Sequence, residues 1–261
     1  IFFSLYEYTL YFVTWEAQEE ALVNKPCCCK ERTHMRPVLF FDVNESLLDL
    51  KVLEPHFKSH FGDKIVVSEW FEQVIQTAML SVILGWSRNF AEVGRSALAM
   101  VVDRHELSLT EDALVDIVGG MKKLPPHDDV IPGLTILKSA GFRMVALTNS
   151  PVAVAEEQLK YAGLIDFFET VISVEEVKTL KPDAKVYVHA TQKIDVEPSN
   201  AYLIAAHAWD VAGAMAIGCK GALIKRVGIA ANPIAPKPTI IAESFKLIAD
   251  QICAAHETKY D

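Results

Sequence analysis

Short, largely apolar runs recur along this chain, most of them followed at once by polar or turn-forming residues. They are Val38–Phe41, Met144–Leu147, Val171–Ser173, Tyr202–Ala206 and Ala222–Ile224. Runs of this length with no polar alternation are expected of parallel strands buried on both faces. Helical stretches separate them. Leu134–Ala140 closes on Gly141, a residue that suits a helix C-terminus. Another begins with Pro151 in its first turn and runs to Gly163. Others follow Lys181-Pro182, cover the small residues Ala212, Gly213, Ala214 and Ala216, and follow Ile240 and Ile241. Alternating strands and helices predict an α/β fold, a doubly wound, Rossmann-like parallel sheet.

One region breaks the alternation. From about Leu53 to Lys122, Trp70, Val74, Ile75, Ala78, Val82 and Ile83 recur at helical spacing, and Phe90, Val93, Leu98 and Val101 continue it. Thr110 before Glu111 and Asp112 reads as a helix N-terminus. An all-helical insert directly after the first strand predicts a cap domain over residues 51–122. The core domain then comprises residues 35–50 and 123–255, re-entered through Pro125-Pro126-His127-Asp128-Asp129. Residues 1–34 differ from the rest and are expected to be a poorly structured appendage. Ile1 to Trp15 is aromatic and apolar, but Glu7 interrupts it, and it falls short of the roughly 20 residues a membrane helix needs. No basic region precedes it, so no secretory signal is expected. A chain opening on Ile reads as a fragment or processed product, with Met35 an alternative start.

Composition narrows the partners. The 261 residues carry a net charge of -9, which argues against nucleic acid or an anionic membrane surface. A small anionic substrate needs only local positive charge. Of five cysteines, Cys27, Cys28 and Cys29 are consecutive, while Cys219 and Cys253 stand alone. No CxxC or Cys/His spacing suggests zinc, and free thiols in a reducing cytoplasm are expected.

The candidate chemistry lies at the strand ends. Asp42 follows the first strand, Thr148 and Asn149 the second, and Lys181 comes shortly after the third. His207 and Asp210 follow the fourth. A parallel sheet gathers these ends along one edge, where open α/β sheets bind their ligands. Each has a dull reading alone: Asp42 or Thr148 as a cap, Lys181 as a solvated charge, His207 as a satisfied loop histidine. Their joint occurrence at four strand ends is harder to explain that way.

The segments FDVNESLLDL, LTNS, LKPDAKVY and IAAHAWDVAGA, in this order, resemble the haloacid dehalogenase superfamily. Within it, the chain is similar to the type II (L-2-haloacid) dehalogenase branch from about Met35 to Ile252. The resemblance implies that Asp42 is the nucleophile, paired with Lys181, while Asp210 orients Lys181 or the hydrolytic water. Ser46 and Thr148 would bind the substrate carboxylate, with Asn149 supporting the site. Asn44, Tyr187 and Trp209 would border the substrate, although core packing explains Tyr187 and Trp209 equally well.

Departures from the pattern choose among activities. Phosphatases of the superfamily carry a second Asp two places after the nucleophile; here that place is Asn44. Ala205 and Ala206 stand where those enzymes have a magnesium-binding acid, and alanine offers no ligand to a hard cation. A halide leaving group needs neither protonation nor a metal. The reading is metal-independent, cofactor-free hydrolytic dehalogenation of short 2-haloalkanoic acids through an aspartyl ester. Two further departures concern the substrate. The branch's cap arginine lines up with Ser81, with Arg88 about two helical turns on, and His207 replaces an Asn. His207 would bind halide when protonated or activate water when neutral. The alternatives are a phosphatase-like hydrolase and a non-catalytic small-acid-binding member of the fold. Homodimerisation is implied by the resemblance alone.

Overall fold

The computed structural model describes residues 36–257. The expectations for residues 1–34, including Cys27–Cys29, lie outside them. The sheet is built from β1 (Val38–Phe41), β2 (Met144–Thr148), β3 (Thr170–Ser173), β4 (Ala201–Ala205), β5 (Lys220–Ile224) and β6 (Ile240–Ala242). All neighbouring pairs are parallel, and the order is β3-β2-β1-β4-β5-β6. Every residue of β1, β2 and β4 is buried, so continuous apolarity in the sequence translates into cover on both faces. Helices on both sides supply that cover: α5 (Val130–Ser139), α6 (Val152–Tyr161), α7 (Ala184–Lys193), α8 (Ala208–Ala216) and α9 (Phe245–Ala255).

Two elements differ from expectation. α5 begins at Val130 rather than Leu134, because Pro132 falls in the first turn, where its missing N–H costs nothing. Gly133 lies directly against the Phe245 ring, which explains a glycine inside that helix. β6 was not anticipated. Its three residues add to the β5 edge through Ala222–Ile240, Leu223–Ile241 and Ile224–Ala242, and so brief a run carries no period.

Between β1 and α5 the chain is helical. A 3-10 turn, Leu50–Leu53, leads into α1 (Glu54–Phe61), α2 (Val67–Ile83), α3 (Phe90–Arg104) and α4 (Glu111–Gly120). Asn89 and Glu92 form a reciprocal capping box at the start of α3, and the Thr110 hydroxyl accepts from Ala113 N at 3.2 Å. Such caps stabilise a helix by about 1 kcal/mol each. α2 buries Trp70, Phe71, Val74 and Ala78. Trp70 donates its indole N–H to the Gly94 carbonyl at 3.0 Å, which locks α2 onto α3. Among the described residues, no helix is long and apolar enough to cross a membrane.

Candidate active site

The strand order reverses between β1 and β4, since the chain leaves β1 for β2 on one side and returns as β4 on the other. Such a switch point opens a crevice beyond the strand C-termini. Asp42 from β1 and His207 from β4 stand at its two lips. The Asp42 N–H bonds the Ile204 carbonyl at 3.1 Å, so the register that pairs Phe41 with Ile204 also aims the carboxylate.

Both Asp42 oxygens are engaged. Oδ1 accepts from Lys181 Nζ at 3.1 Å. Oδ2 accepts from the Ser46 hydroxyl at 2.6 Å and faces His207 Nδ1 at 3.2 Å. Burial alone would raise the Asp42 pKa, but the Lys181 charge, followed by the His207 and Ser46 interactions, holds it well below the usual carboxylate range. Lys181 is fully enclosed; its Nζ donates also to Asp210 Oδ2 at 2.9 Å. Burial works against that ammonium, but the Asp210 and Asp42 carboxylates raise its pKa above the ordinary value. The other Asp210 oxygen accepts from the Tyr187 hydroxyl at 2.5 Å. Burial, then the neighbouring Asp210 charge, push the Tyr187 pKa well upward, so the phenol remains a neutral donor. Close approach makes this possible: a Cβ on Gly213 would lie 2.7 Å from the Tyr187 hydroxyl and 2.9 Å from the Pro182 Cβ.

His207 is the second centre. Its Nε2 lies 2.8 Å from Glu45 Oε2. Phe71 of α2 stacks against the ring with centroids 5.8 Å apart, and Trp209 with centroids 5.2 Å apart. Burial favours neutral imidazole, but the bonds to Asp42 and Glu45 and the charges of both raise its pKa to about 10. Burial raises the Asp210 pKa against the pull of the Lys181 charge, and the site sets three carboxyl groups (Asp42, Glu45, Asp210) around two basic side chains (Lys181, His207).

The remaining expected residues occupy other positions around this centre. Asn149 accepts from the Lys181 backbone N–H at 2.9 Å, fixing the loop that delivers the ammonium. Thr148 Oγ1 accepts from the Ser150 N–H at 3.1 Å. Ser46 bridges, donating to Asp42 while accepting from the Ala206 N–H at 2.8 Å, so its proton is not directed at a substrate carboxylate. Asn44 donates to the Ser150 hydroxyl at 3.1 Å and accepts from Gln158 Nε2 at 3.2 Å. It braces the β1 and β2 loops against each other and leaves no acid for a leaving group. Tyr187, for which a place bordering the substrate and core packing both stood open, is buried and directed at Asp210. Trp209 is half-buried over His207. Ser81 donates to the Thr77 carbonyl at 2.9 Å, a bond within its own helix. Arg88 is exposed. The aromatic ring that α2 sends to the site is Phe71.

Glu45, Phe71 and Ser150 were not anticipated. Glu45 and Ser150 lie within the quoted FDVNESLLDL and LTNS segments, whereas Phe71 lies in no motif. Among the described residues, no group of three or more His, Cys, Asp or Glu is arranged to hold a metal ion.

Comparison with known proteins bears on the chain as a whole. Residues 38–218 match the model of the haloacid dehalogenase-like hydrolases. A (S)-2-haloacid dehalogenase 1 from Pseudomonas sp. (strain CBS-3) is 26% identical over 189 residues, covering 72% of this chain and 83% of that protein. Haloacetate dehalogenase H-2 from Moraxella sp. (strain B) is 24% identical over 200 residues, covering 76% and 89%. L-2-haloacid dehalogenase from Xanthobacter autotrophicus, with chloropropionic acid covalently bound, superposes with a TM-score of 0.78 at 20% identity, covering 86% of this chain and 100% of that one. The chain belongs to the haloacid dehalogenase-like hydrolase family.

Proposed function

We propose that this protein hydrolyses the carbon–halogen bond of short 2-haloalkanoic acids, releasing halide and a 2-hydroxy acid. The observation that carries the reading is an Asp42 carboxylate held ionised against Lys181, beside an Asn44 that cannot protonate a leaving group. Oδ2 has two partners and Oδ1 has one, so Oδ1 keeps a lone pair for attack. It displaces halide from C2: the C–O bond forms as the C–X bond breaks, and the halogen leaves with the electron pair. Water then adds to the Asp42 carbonyl carbon and the ester C–O bond cleaves. Lys181 offsets the negative charges that meet when the substrate carboxylate approaches. The loop N–H groups after Asp42 and the Thr148-Asn149 turn are the proposed carboxylate contacts. Positioning supplies most of the acceleration, because halide is a good leaving group and needs no proton.

The helical insert serves as a cap, supported by the Phe71 contact with His207. A partly open apolar cavity of about 100 Å³, lined by Trp70, Phe71, Val74, Phe90, Pro151 and Gln158 among others, adjoins the centre through the Phe71 ring that stacks on His207. Magnesium is a poor match for these residues: Ala205 and Ala206 offer no oxygen side chain. The free thiols Cys219 and Cys253 fit a cytoplasmic location, and a homodimer follows from the family resemblance; light scattering of the purified protein measures the latter.

The test is halide release from chloroacetate, bromoacetate, fluoroacetate and 2-chloropropionate with EDTA present. Release that survives EDTA and is lost in Asp42→Asn supports the reading. Magnesium-dependent phosphate release from small esters, without halide release, refutes it.

A further inference from the structure

Glu45 lies outside any role considered above, yet its geometry is specific. Its backbone adopts the left-handed conformation at φ 60°, which for a non-glycine residue costs about 1 kcal/mol. Its carbonyl is held by His127 Nε2 at 3.0 Å. This turn directs the carboxylate inward, to 2.8 Å from His207 Nε2, while Nδ1 of the same ring faces Asp42. Phe71 and Trp209 both stack against the imidazole, and its two nitrogens are each engaged by a carboxylate. The facing ionisable groups are Asp42 at the end of β1 and Glu45 in the loop after it. Lys181 and Asp210 stand behind Asp42, His127 behind Glu45, and Arg226 donates to the nearby Ser46 carbonyl at 2.9 Å.

We infer that Glu45 is a positioning residue that fixes His207 with Nε2–H toward itself and Nδ1 toward Asp42, making His207 the base for hydrolysis of the aspartyl ester. The inference rests on the dehalogenation reading and deepens it. In the resting site Asp42 and Glu45 together retain the imidazolium. Attack on C2 turns Asp42 into a neutral ester, and His207 loses one of its two anionic partners. The Nδ1 proton then passes to solvent as halide departs, which accounts for the acid released per turnover. Neutral Nδ1 takes a proton from the water whose oxygen bonds to the Asp42 carbonyl carbon. As the ester C–O bond breaks, that proton passes to the departing alkoxide, giving the 2-hydroxy acid. The second water proton, left on the Asp42 carboxyl, returns to Nδ1 and restores the ion pair. Throughout, Glu45 holds the other nitrogen protonated and stabilises the imidazolium each time it forms.

The test is chloroacetate turnover with chloride release and intact-protein mass followed in rapid-quench time courses, for wild type, Glu45→Gln and His207→Asn. Wild type turns over repeatedly with little adduct. Glu45→Gln is expected to release its first equivalent of chloride within about threefold of the wild-type rate, then to slow by about 10²-fold, the scale of general-base help. A carboxymethylated enzyme should accumulate, and His207→Asn should accumulate it at least as strongly. The rate of adduct decay should rise with pH in wild type along a single limb that moves to lower pH in Glu45→Gln. Equal slowing of the first and later turnovers, or decay unchanged in both variants, overturns the assignment while leaving the dehalogenation intact. A wild type that releases no chloride and forms no adduct overturns the dehalogenation reading itself, and this assignment with it.

Discussion

The charge on His207 has a consequence for stability that can be measured without any substrate. The folded protein holds this imidazole protonated up to about pH 10, against an ordinary histidine value of 6.5. A pKa raised by folding contributes stability that is fully present below the unfolded value and is lost as pH rises through the folded one. For His207 the window therefore runs from about 6.5 to about 10. Within it, each pH unit removes up to 1.36 kcal/mol, so the interval from pH 6.5 to 9 removes about 3 kcal/mol. No other shifted histidine, cysteine or lysine changes its charge within that interval. His127 and His256 are lowered and act below it, and Cys219 rises from 9.0 to about 11 and acts above it. Lys181, also raised, acts only above its ordinary 10.5. Urea unfolding followed by circular dichroism at pH 6.5, 7.5 and 9.0 should show wild type losing about 3 kcal/mol across the series while His207→Asn stays nearly flat. Parallel curves for the two proteins would refute a protonated His207 between Asp42 and Glu45.

Other outcomes follow from the same cluster. Asp42→Asn should reduce halide release below detection, and no covalent adduct should appear by intact mass. Lys181→Met leaves Asp42 and Asp210 buried without their shared cation. Its unfolding free energy at pH 7 should fall by about 3–5 kcal/mol, and the deficit should shrink toward pH 5 as those carboxylates take up protons. Gly213→Ala places a Cβ against the Tyr187 hydroxyl and ring. Tyr187 is 2% exposed and has no room to retreat, so thermal melting should report a loss of about 1–3 kcal/mol and halide release should fall with it.

The strands were legible in the sequence because full burial leaves an unbroken apolar run, as in Val38–Phe41 and Tyr202–Ile204. The strand ends were legible for the related reason that Asp42, Thr148, Asn149 and His207 interrupt those runs abruptly. The start of α5 was hidden by Pro132 and Gly133, which read as a turn until the ring of Phe245 is seen against the glycine. Glu45 was hidden because a charged residue in a polar loop looks solvated, and only the left-handed backbone at that position turns it inward. Ser81, which lines up with the branch's cap arginine, is buried but spends its hydroxyl on the Thr77 carbonyl of its own helix. The ring on His207 belongs to Phe71, ten positions earlier. Tyr187 could not be placed by pattern, because its partner Asp210 comes from a different helix and the contact depends on Gly213 being small.

The placement of β1 at the centre of the sheet governs when the protein becomes active during its own synthesis. The strand bearing Asp42 emerges before the other five strands, but Lys181 lies 139 positions later and His207 165 positions later. Until β4 is added, the carboxylate lacks His207 and the strand has one open flank. Contacts of such long sequence separation form slowly. The nascent chain therefore carries an aspartate without its imidazole partner until β4 is made, and the crevice is completed as that last central strand closes it.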